Sequence, residues 1–281
     1  MHAPILQLIA APIGNLADIS LRALDALRAA DIIAAEDTRV ARRLLSAHDI
    51  RGKKLLSARA QNEEAAAQQI IKAMLHGGHQ NAAYLSDAGT PGISDPGARI
   101  AKRARAAGIV VSAIPGASAL TALLCVAGCR GGAVHFLGFA PRAKDKRRKF
   151  FLDIAALSGD IVLFESPRRV FDACQLLAGS FGDDARVVVG RELSKAHEQI
   201  VDAKAADIVR AFAEGEIPQL GEFAVYAESP AMTKGAQTPA SVFDTLVREL
   251  PPRRAAALAA KITGANANDI YRKHANKQGG E

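Results

Sequence analysis

The sequence predicts a two-domain α/β protein with a C-terminal helix-turn-helix appendix. Three observations carry that expectation. Short apolar segments alternate with amphipathic helical ones through the first 114 residues. A second α/β run follows, whose last strands lie close enough in sequence to pair partly antiparallel. Beyond a linker, a basic helical tail has an organisation of its own.

In the first domain, residues 1–114, the strand candidates are Ile5–Ala10, Ile32–Ala35, Leu55–Ser57, Ala82–Leu85 and Val110–Ile114. Leu21, Leu24 and Leu27, and later Ile70, Ile71, Met74 and Leu75, carry helical spacing between them. Alternation of this kind predicts a mostly parallel sheet covered on both faces. In the second domain, residues 115–230, strand His135–Phe139 leads into a basic helix with Phe150, Phe151 and Ile154. Strand Ile161–Phe164 and a helix through Val170, Phe171 and Leu176 follow, then strands Arg186–Arg191, Glu198–Val201 and Phe223–Ala227. Residues 231–239 read as a linker. In the tail, 240–281, a helix from Ala240 to Glu249 stops at Pro251-Pro252, a second runs Arg253–Thr263, and a third runs Ala267–His274 after the turn Gly264-Ala265-Asn266. That pattern fits a helix-turn-helix or a helical hairpin packed on the body or on a second subunit.

The stretch SDAGTPGISDPG, Ser86–Gly97, is the most informative in the chain, because it ends an apolar strand with a turn that packing alone does not select. Glycines at 89, 92 and 97 permit close ligand approach, prolines at 91 and 96 stiffen the loop, and Asp87 and Asp95 supply fixed acceptors. An ordinary surface turn uses the same residue types. The device is repeated, however: strand Ile5–Ala10 runs into APIGNLADIS, and Val110–Ile114 into PGASAL. Three such strand-to-helix junctions predict one shared ligand at the carboxyl ends of the strands.

Composition narrows the ligand and the setting. With 281 residues and 49% apolar content the chain can bury a large core. No apolar run approaches the ~20 residues of a membrane span and the N-terminus lacks a secretory pattern, so a cytoplasmic protein is expected. Cys125, Cys129 and Cys174 fall in alanine- or leucine-rich helical segments and read as small core residues; with the seven histidines scattered, no metal is expected. A net charge of +7 fits a polyanionic partner. The positive charge is concentrated in RAKDKRRK with Arg142, Lys144, Arg147 and Arg148, in SPRR with Arg168 and Arg169, and in the tail with Arg253, Arg254, Arg272 and Lys273. GRELSK adds Arg191, Glu192 and Lys195, as phosphate ligands or as a structural pair. Neither a dinucleotide fingerprint, G-x-G-x-x-G after the first strand, nor a P-loop, G-x-x-x-x-G-K-[ST], is present, and no G-x-S-x-G elbow marks Ser118 as a nucleophile.

The series API-GNLADIS, AEDTR, SDAGTPGISDPG, PGASAL, FLGFAPR and FESPRR resembles the tetrapyrrole-methylase superfamily, and within it the bacterial enzymes that 2′-O-methylate a cytidine of 16S rRNA in the small-subunit decoding centre. The resemblance extends over nearly the whole chain. It implies a two-domain tetrapyrrole-methylase-like fold, S-adenosylmethionine in the cleft between the domains, a homodimer, and 16S rRNA or the small ribosomal subunit as partner. The cofactor contacts it implies are Pro12, Ala88, Gly89, Thr90, Ile93, Ser118, Ala119 and Glu165. Two departures are local: Ala11 stands where many relatives carry Thr, and SARAQNEE around Asn62 and Glu63 replaces a His-rich stretch.

Methyl transfer to a ribose hydroxyl requires in-line positioning and removal of a proton of high pKa, for which a cleft carboxylate is the economical base. AEDTR offers Glu36 and Asp37 beside Arg39. It reads either as an ion-paired strand terminus or as a catalytic cluster in which Arg39 binds a phosphate or holds Asp37 ionised while Glu36 or Asp37 accepts the proton. Asp87 and Asp95 are alternative bases, or braces of their loop. Two further functions fit parts of the sequence: methylation of a tetrapyrrole precursor, which leaves the basic tail unexplained, and a ligand-sensing DNA-binding regulator, which leaves the elaborated loops unexplained.

Overall fold

A computed structural model describes residues 3–93, 95, 97–129, 131–229 and 239–275. The linker, 231–239, lies outside the described residues save for Pro239, as does Pro96 of the second loop. The first sheet is built from β1 (Ile5–Ile9), β2 (Ile32–Ala35), β3 (Leu55–Ser57), β4 (Asn81–Leu85) and β5 (Val110–Ile114), in the order β3-β2-β4-β1-β5. All its neighbours are parallel. β2 and β4 are buried along nearly all their length, and they read as unbroken apolar runs because helices cover both faces. On one face lie α1 (Leu21–Ala29) and α2 (Thr38–Ala47), with Leu24, Leu27, Leu44 and Leu45 against Ile9, Ile33 and Leu85. On the other lie α3 (Glu63–His76) and α4 (Gly97–Ala106), with Ile70, Met74 and Ile100 against Leu6 and Tyr84.

β5 ends the first sheet at Ile114, and α5 (Ala119–Ala127) packs onto the second one, where Leu123 and Ala127 meet Val162, Val188 and Tyr226. The second sheet has the order β6-β7-β10-β8-β9, from β6 (Val134–Phe139), β7 (Asp160–Glu165), β8 (Arg186–Arg191), β9 (Gln199–Lys204) and β10 (Phe223–Ala227). β6 and β7 are parallel; the other pairs are antiparallel. Its far face is covered by α6 (Lys144–Ile154), α7 (Val170–Phe181) and α8 (Ala205–Ala213), through Phe151, Leu177, Phe181 and Phe212. At the sheet's centre the Tyr226 hydroxyl donates to Asp160 at 2.7 Å, satisfying two buried polar groups together.

The tail comprises α9 (Pro239–Leu246), α10 (Pro252–Thr263) and α11 (Ala267–Ala275) around a small core of Val242, Phe243, Ala255, Ala256, Ala259 and Ile270. The helix expected to reach Glu249 ends at Leu246, and residues 247–250 form a turn, consistent with the restriction Pro251 places on the residue before it. Gly264 adopts the left-handed cap (φ 71°) that ends α10.

The expectation that all three cysteines lie in the core is corrected. Cys174 is buried, whereas Cys125 and Cys129 are exposed. α5 is apolar nearly all round but presents only the Leu123 and Ala127 side to the sheet; Cys125 lies away from it, and Cys129 follows the cap at Gly128.

Two glycines test the packing in opposite directions. A Cβ on Gly97 would sit 2.7 Å from the Asp95 carboxylate and 2.8 Å from the Tyr84 ring, while Gly179, exposed inside α7, has open space around it. By denaturant unfolding, Gly97→Ala is expected to destabilise by about 1–3 kcal/mol. Gly179→Ala is expected to stabilise by about 0.5–1 kcal/mol.

Candidate active site

The register Leu85↔Ile9↔Ile114 brings the carboxyl ends of β4, β1 and β5 side by side, so the three Gly/Pro-rich loops start from one edge. They are laced together by backbone. Ala11 N–H donates to Gly89 O at 2.9 Å and Gly89 N–H to Ala11 O at 3.0 Å. Gly89 holds φ 74°, and a Cβ there would press on Ile13. The Thr90 hydroxyl donates to Ala117 O at 3.0 Å, tying the second loop to the third, and Ser86 Oγ donates to Gly89 O at 2.9 Å. Asp95 accepts from Tyr84 Oη and from the Gly92 and Gly97 amides, so it braces the loop.

These loops wall a cavity of about 430 Å³ that the second domain closes. The volume lies in the range of small-molecule sites, roughly 300–1,000 Å³. Of the expected cofactor residues, Ala88, Gly89, Thr90, Ile93, Ser118, Ala119 and Glu165 all line it. Pro12 lines an adjoining cavity instead, and its neighbour Ile13 faces the first. From the second domain come Phe139, Phe164, Gly190, Leu193 and Glu222 among others. Phe139 is half exposed at the end of β6, edge-on to Phe164 at 6.0 Å; an irregularity in the pairing of β6 with β7 precedes it.

Glu165 is the most constrained polar group in the wall. Its side chain is 2% exposed, and its Oε1 takes the Ser166 amide at 2.7 Å and Arg169 at 2.6 Å. Oε2 is buried and has no hydrogen-bond partner among the described residues. A carboxylate oxygen held that way beside a cavity is an acceptor set for a ligand's donor. Arg169 also reaches Ala140 O and Ser166 Oγ, so it serves this carboxylate rather than the surface.

AEDTR splits between its two readings. Glu36 lines the cavity, and its carboxyl is pushed above the usual range, first by burial and then by the neighbouring Asp87 carboxylate. Asp37 points elsewhere: it caps α2 by accepting from the Arg39 amide at 2.8 Å and is forked by the Arg39 guanidinium. That pairing holds Asp37 well below the carboxylate range. Asp87 Oδ1 accepts from the Asp37 amide at 2.8 Å, joining the β2 and β4 loops.

The turn between β8 and β9 fastens the second domain over the first loop. Glu192 and Ser194 take positive φ values, 53° and 68°; Ser194 Oγ donates to Asp18, and the Lys195 stem lies against Gly14, leaving no room there for a Cβ. Lys195 is paired with Glu192 at 2.9 Å and Glu222 at 3.1 Å. Arg191 donates to the Leu220 and His197 carbonyls, so GRELSK is built for structure. Sequence reasoning missed Leu193, Gly190 and Glu222 as wall residues: Leu193 sits in the positive-φ turn, Gly190 in β8 just before it, and Glu222 is hydrogen-bonded to Glu192 of that turn, none of which residue types reveal.

The basic residues lie apart from the cavity and differ among themselves. Arg142, Lys144, Arg148 and Arg168 are exposed, whereas Arg147 is largely buried against Asp172 at 2.6 Å. In the tail Arg253 lies 5.9 Å over the Tyr271 ring, and Arg254 and Arg272 are exposed. Of Lys273 only the helical backbone is described. Among the described residues no helix is long and apolar enough to cross a membrane, and no cluster of His, Cys, Asp and Glu is arranged to hold a metal ion.

Residues 6–209 match the family of Tetrapyrrole (Corrin/Porphyrin) Methylases, and residues 237–273 match the RsmI C-terminal HTH domain. The chain is 40% identical over 269 residues to Ribosomal RNA small subunit methyltransferase I of Neisseria meningitidis serogroup B, covering 95% of this chain and 91% of that protein. To the Pseudomonas aeruginosa protein of the same name it is 37% identical over 283 residues, with 99% of each covered. A solved cobalt precorrin-4 methyltransferase shares the fold with a TM-score of 0.59 at 18% identity, over 80% of this chain and 95% of that one. On the match over residues 6–209 and the near full-length relatives, the chain belongs to the tetrapyrrole (corrin/porphyrin) methylase family, with a C-terminal helix-turn-helix domain behind the methylase fold.

Proposed function

We propose that this protein methylates the ribose 2′-hydroxyl of a cytidine in 16S rRNA of the small ribosomal subunit, using S-adenosylmethionine. The observation that carries the proposal is one interdomain cavity whose wall holds both Glu165, with a buried oxygen unpartnered among the described residues, and Glu36, a carboxyl whose proton affinity is raised by burial and by the neighbouring Asp87. Near full-length relatives named as small-subunit rRNA methyltransferases support the RNA substrate. Exposed Arg142, Lys144, Arg148, Arg168, Arg253, Arg254 and Arg272 support it as a polyanion-binding surface, with Lys273 in the same tail. Family resemblance supports a homodimer.

S-adenosylmethionine, when bound, supplies an electrophilic methyl group on a sulfonium. Backbone amides and carbonyls of Ala88, Gly89, Thr90, Ile93, Ser118 and Ala119 offer neutral partners for its amino-acid end, with Pro12 behind Ile13, and Glu165 Oε2 suits a hydroxyl donor such as its ribose diol. Glu36 takes the proton of the acceptor hydroxyl as that oxygen attacks. A carboxyl raised toward neutrality is a stronger base than an exposed glutamate, which favours it over Asp37. Asp37 and Arg39 anchor α2 and, through the Asp37 amide, Asp87 beside the base.

Incubating the protein with radiolabelled S-adenosylmethionine and small subunits from cells lacking it should place label on one cytidine ribose, mapped by nuclease digestion and mass spectrometry. Cofactor binding without label on the subunit, but with label on a tetrapyrrole precursor, would replace the RNA reading; specific duplex-DNA binding without methyl transfer would support a regulator.

Glu36→Gln is expected to fold and to be at least as stable at neutral pH: a carboxyl raised by burial destabilises the fold once pH exceeds its unfolded value and it must ionise. Its single-turnover rate should fall about 10²–10⁴-fold. The wild-type rate should rise with pH through a midpoint above the usual glutamate range, a limb absent in the variant. Glu165→Gln should weaken S-adenosylmethionine binding by calorimetry by about 1.5–3 kcal/mol, with kcat at saturating cofactor less affected.

A further inference from the structure

A second cavity, of about 370 Å³, adjoins the first and shares Ile13, Ser86, Ala88 and Glu222 with it. It opens between the first loop and α2, and its rim pairs apolar side chains with a cation. Leu16, 49% exposed in a short 3₁₀ turn at Leu16–Asp18, and Val40, 37% exposed on α2, face it together. Arg43, one turn beyond Arg39 on α2, stands beside them; it is exposed and forms no ion pair among the described residues. The other cation of the wall, Lys195, is already held by Glu192 and Glu222.

We infer that this cavity receives the acceptor nucleotide itself, unstacked from its RNA, with Leu16 and Val40 against the face of the base and Arg43 on an adjoining phosphate. The inference rests on the proposed methyl transfer to RNA and assigns the acceptor's place within it. Nucleotide chemistry has both requirements of the rim: a flat apolar face needing a partner once it leaves its stack, and an anion one sugar away. The position relative to the donor is also right. An attacking oxygen must come within about 3–3.5 Å of the methyl group, so the acceptor has to enter from a space that shares a wall with the donor's. Here the shared wall is the Ser86–Ala88 strand end, with Glu36 on the donor side and Asp87 on the other. A tetrapyrrole, several times larger than one nucleotide and ringed with carboxylates, fits neither the volume nor the two-part rim.

Full-length Arg43→Ala and Leu16→Ser proteins, checked for wild-type thermal unfolding, would be assayed on unmodified small subunits alongside Arg105→Ala, whose arginine is exposed on α4, forms no ion pair among the described residues and does not line the cavity. Arg43→Ala is expected to raise KM for the subunit about tenfold, to lower the salt dependence of binding by about one phosphate contact, and to leave calorimetric S-adenosylmethionine affinity unchanged. Leu16→Ser should lower kcat at saturating subunit several-fold with the same unchanged cofactor affinity, because a base without its apolar partner leaves the ribose less well positioned. Arg105→Ala should match wild type. If Arg43→Ala and Leu16→Ser also match wild type while the wild type methylates, the acceptor site is elsewhere and the assigned function stands. Should the wild-type protein itself place no label on the subunit, the function fails and this inference with it.

Discussion

The reciprocal pair of backbone hydrogen bonds between Ala11 and Gly89 is the constraint on which the site depends. β1 and β4 are neighbours in the sheet, but their chains diverge after Ile9 and Leu85; the bridge extends their association by one step beyond the ladder, in antiparallel sense. It requires Gly89 to turn through the left-handed region, and once formed it holds Ile13 and Thr90 at fixed distance from the third loop. No side chain provides this tie. The cavity wall is thereby anchored to the sheet edge from which it grows, as positioning of a bound group requires.

Two glutamates in the wall show how environment assigns work to one chemical group. Glu165 is buried but met by Arg169 and by the Ser166 amide on one oxygen, so its other oxygen is a fixed acceptor. Glu36 is half-buried beside Asp87, with no cation paired to it among the described residues, and its charge is disfavoured. The first arrangement suits holding a donor group; the second suits taking up a proton. Asp37, adjacent in sequence to Glu36, is excluded from both tasks because the start of α2 needs a cap and Arg39 closes on it.

Much of this was legible in the residues. Apolar runs of three or four residues marked β2, β4 and β8 because buried strands leave no polar face to confuse the pattern. The glycine loops gave away the cavity, since their residue types serve no packing need. What stayed hidden was set by tertiary contact. The apolar segment around Cys125 made that cysteine read as a core residue, but only one side of α5 meets the second sheet, and Cys125 falls on the other. Arg147 and Arg169 looked like RNA ligands until Asp172 and Glu165 claimed them. GRELSK left phosphate binding and a structural pair equally open, because neither a positive φ nor a lysine stem lying along a glycine leaves a mark in composition.

That turn also determines how the two cavities relate. Glu222 stands in both walls with Ile13, Ser86 and Ala88 and reaches Gly14 of the opposite domain through Lys195, so both domains contribute to the wall the cavities share. A molecule that displaces or stiffens the partition from one side changes the free energy of filling the other. By linkage any such effect is mutual and equal in both directions, so whatever fills one cavity bears on the other as much as the reverse.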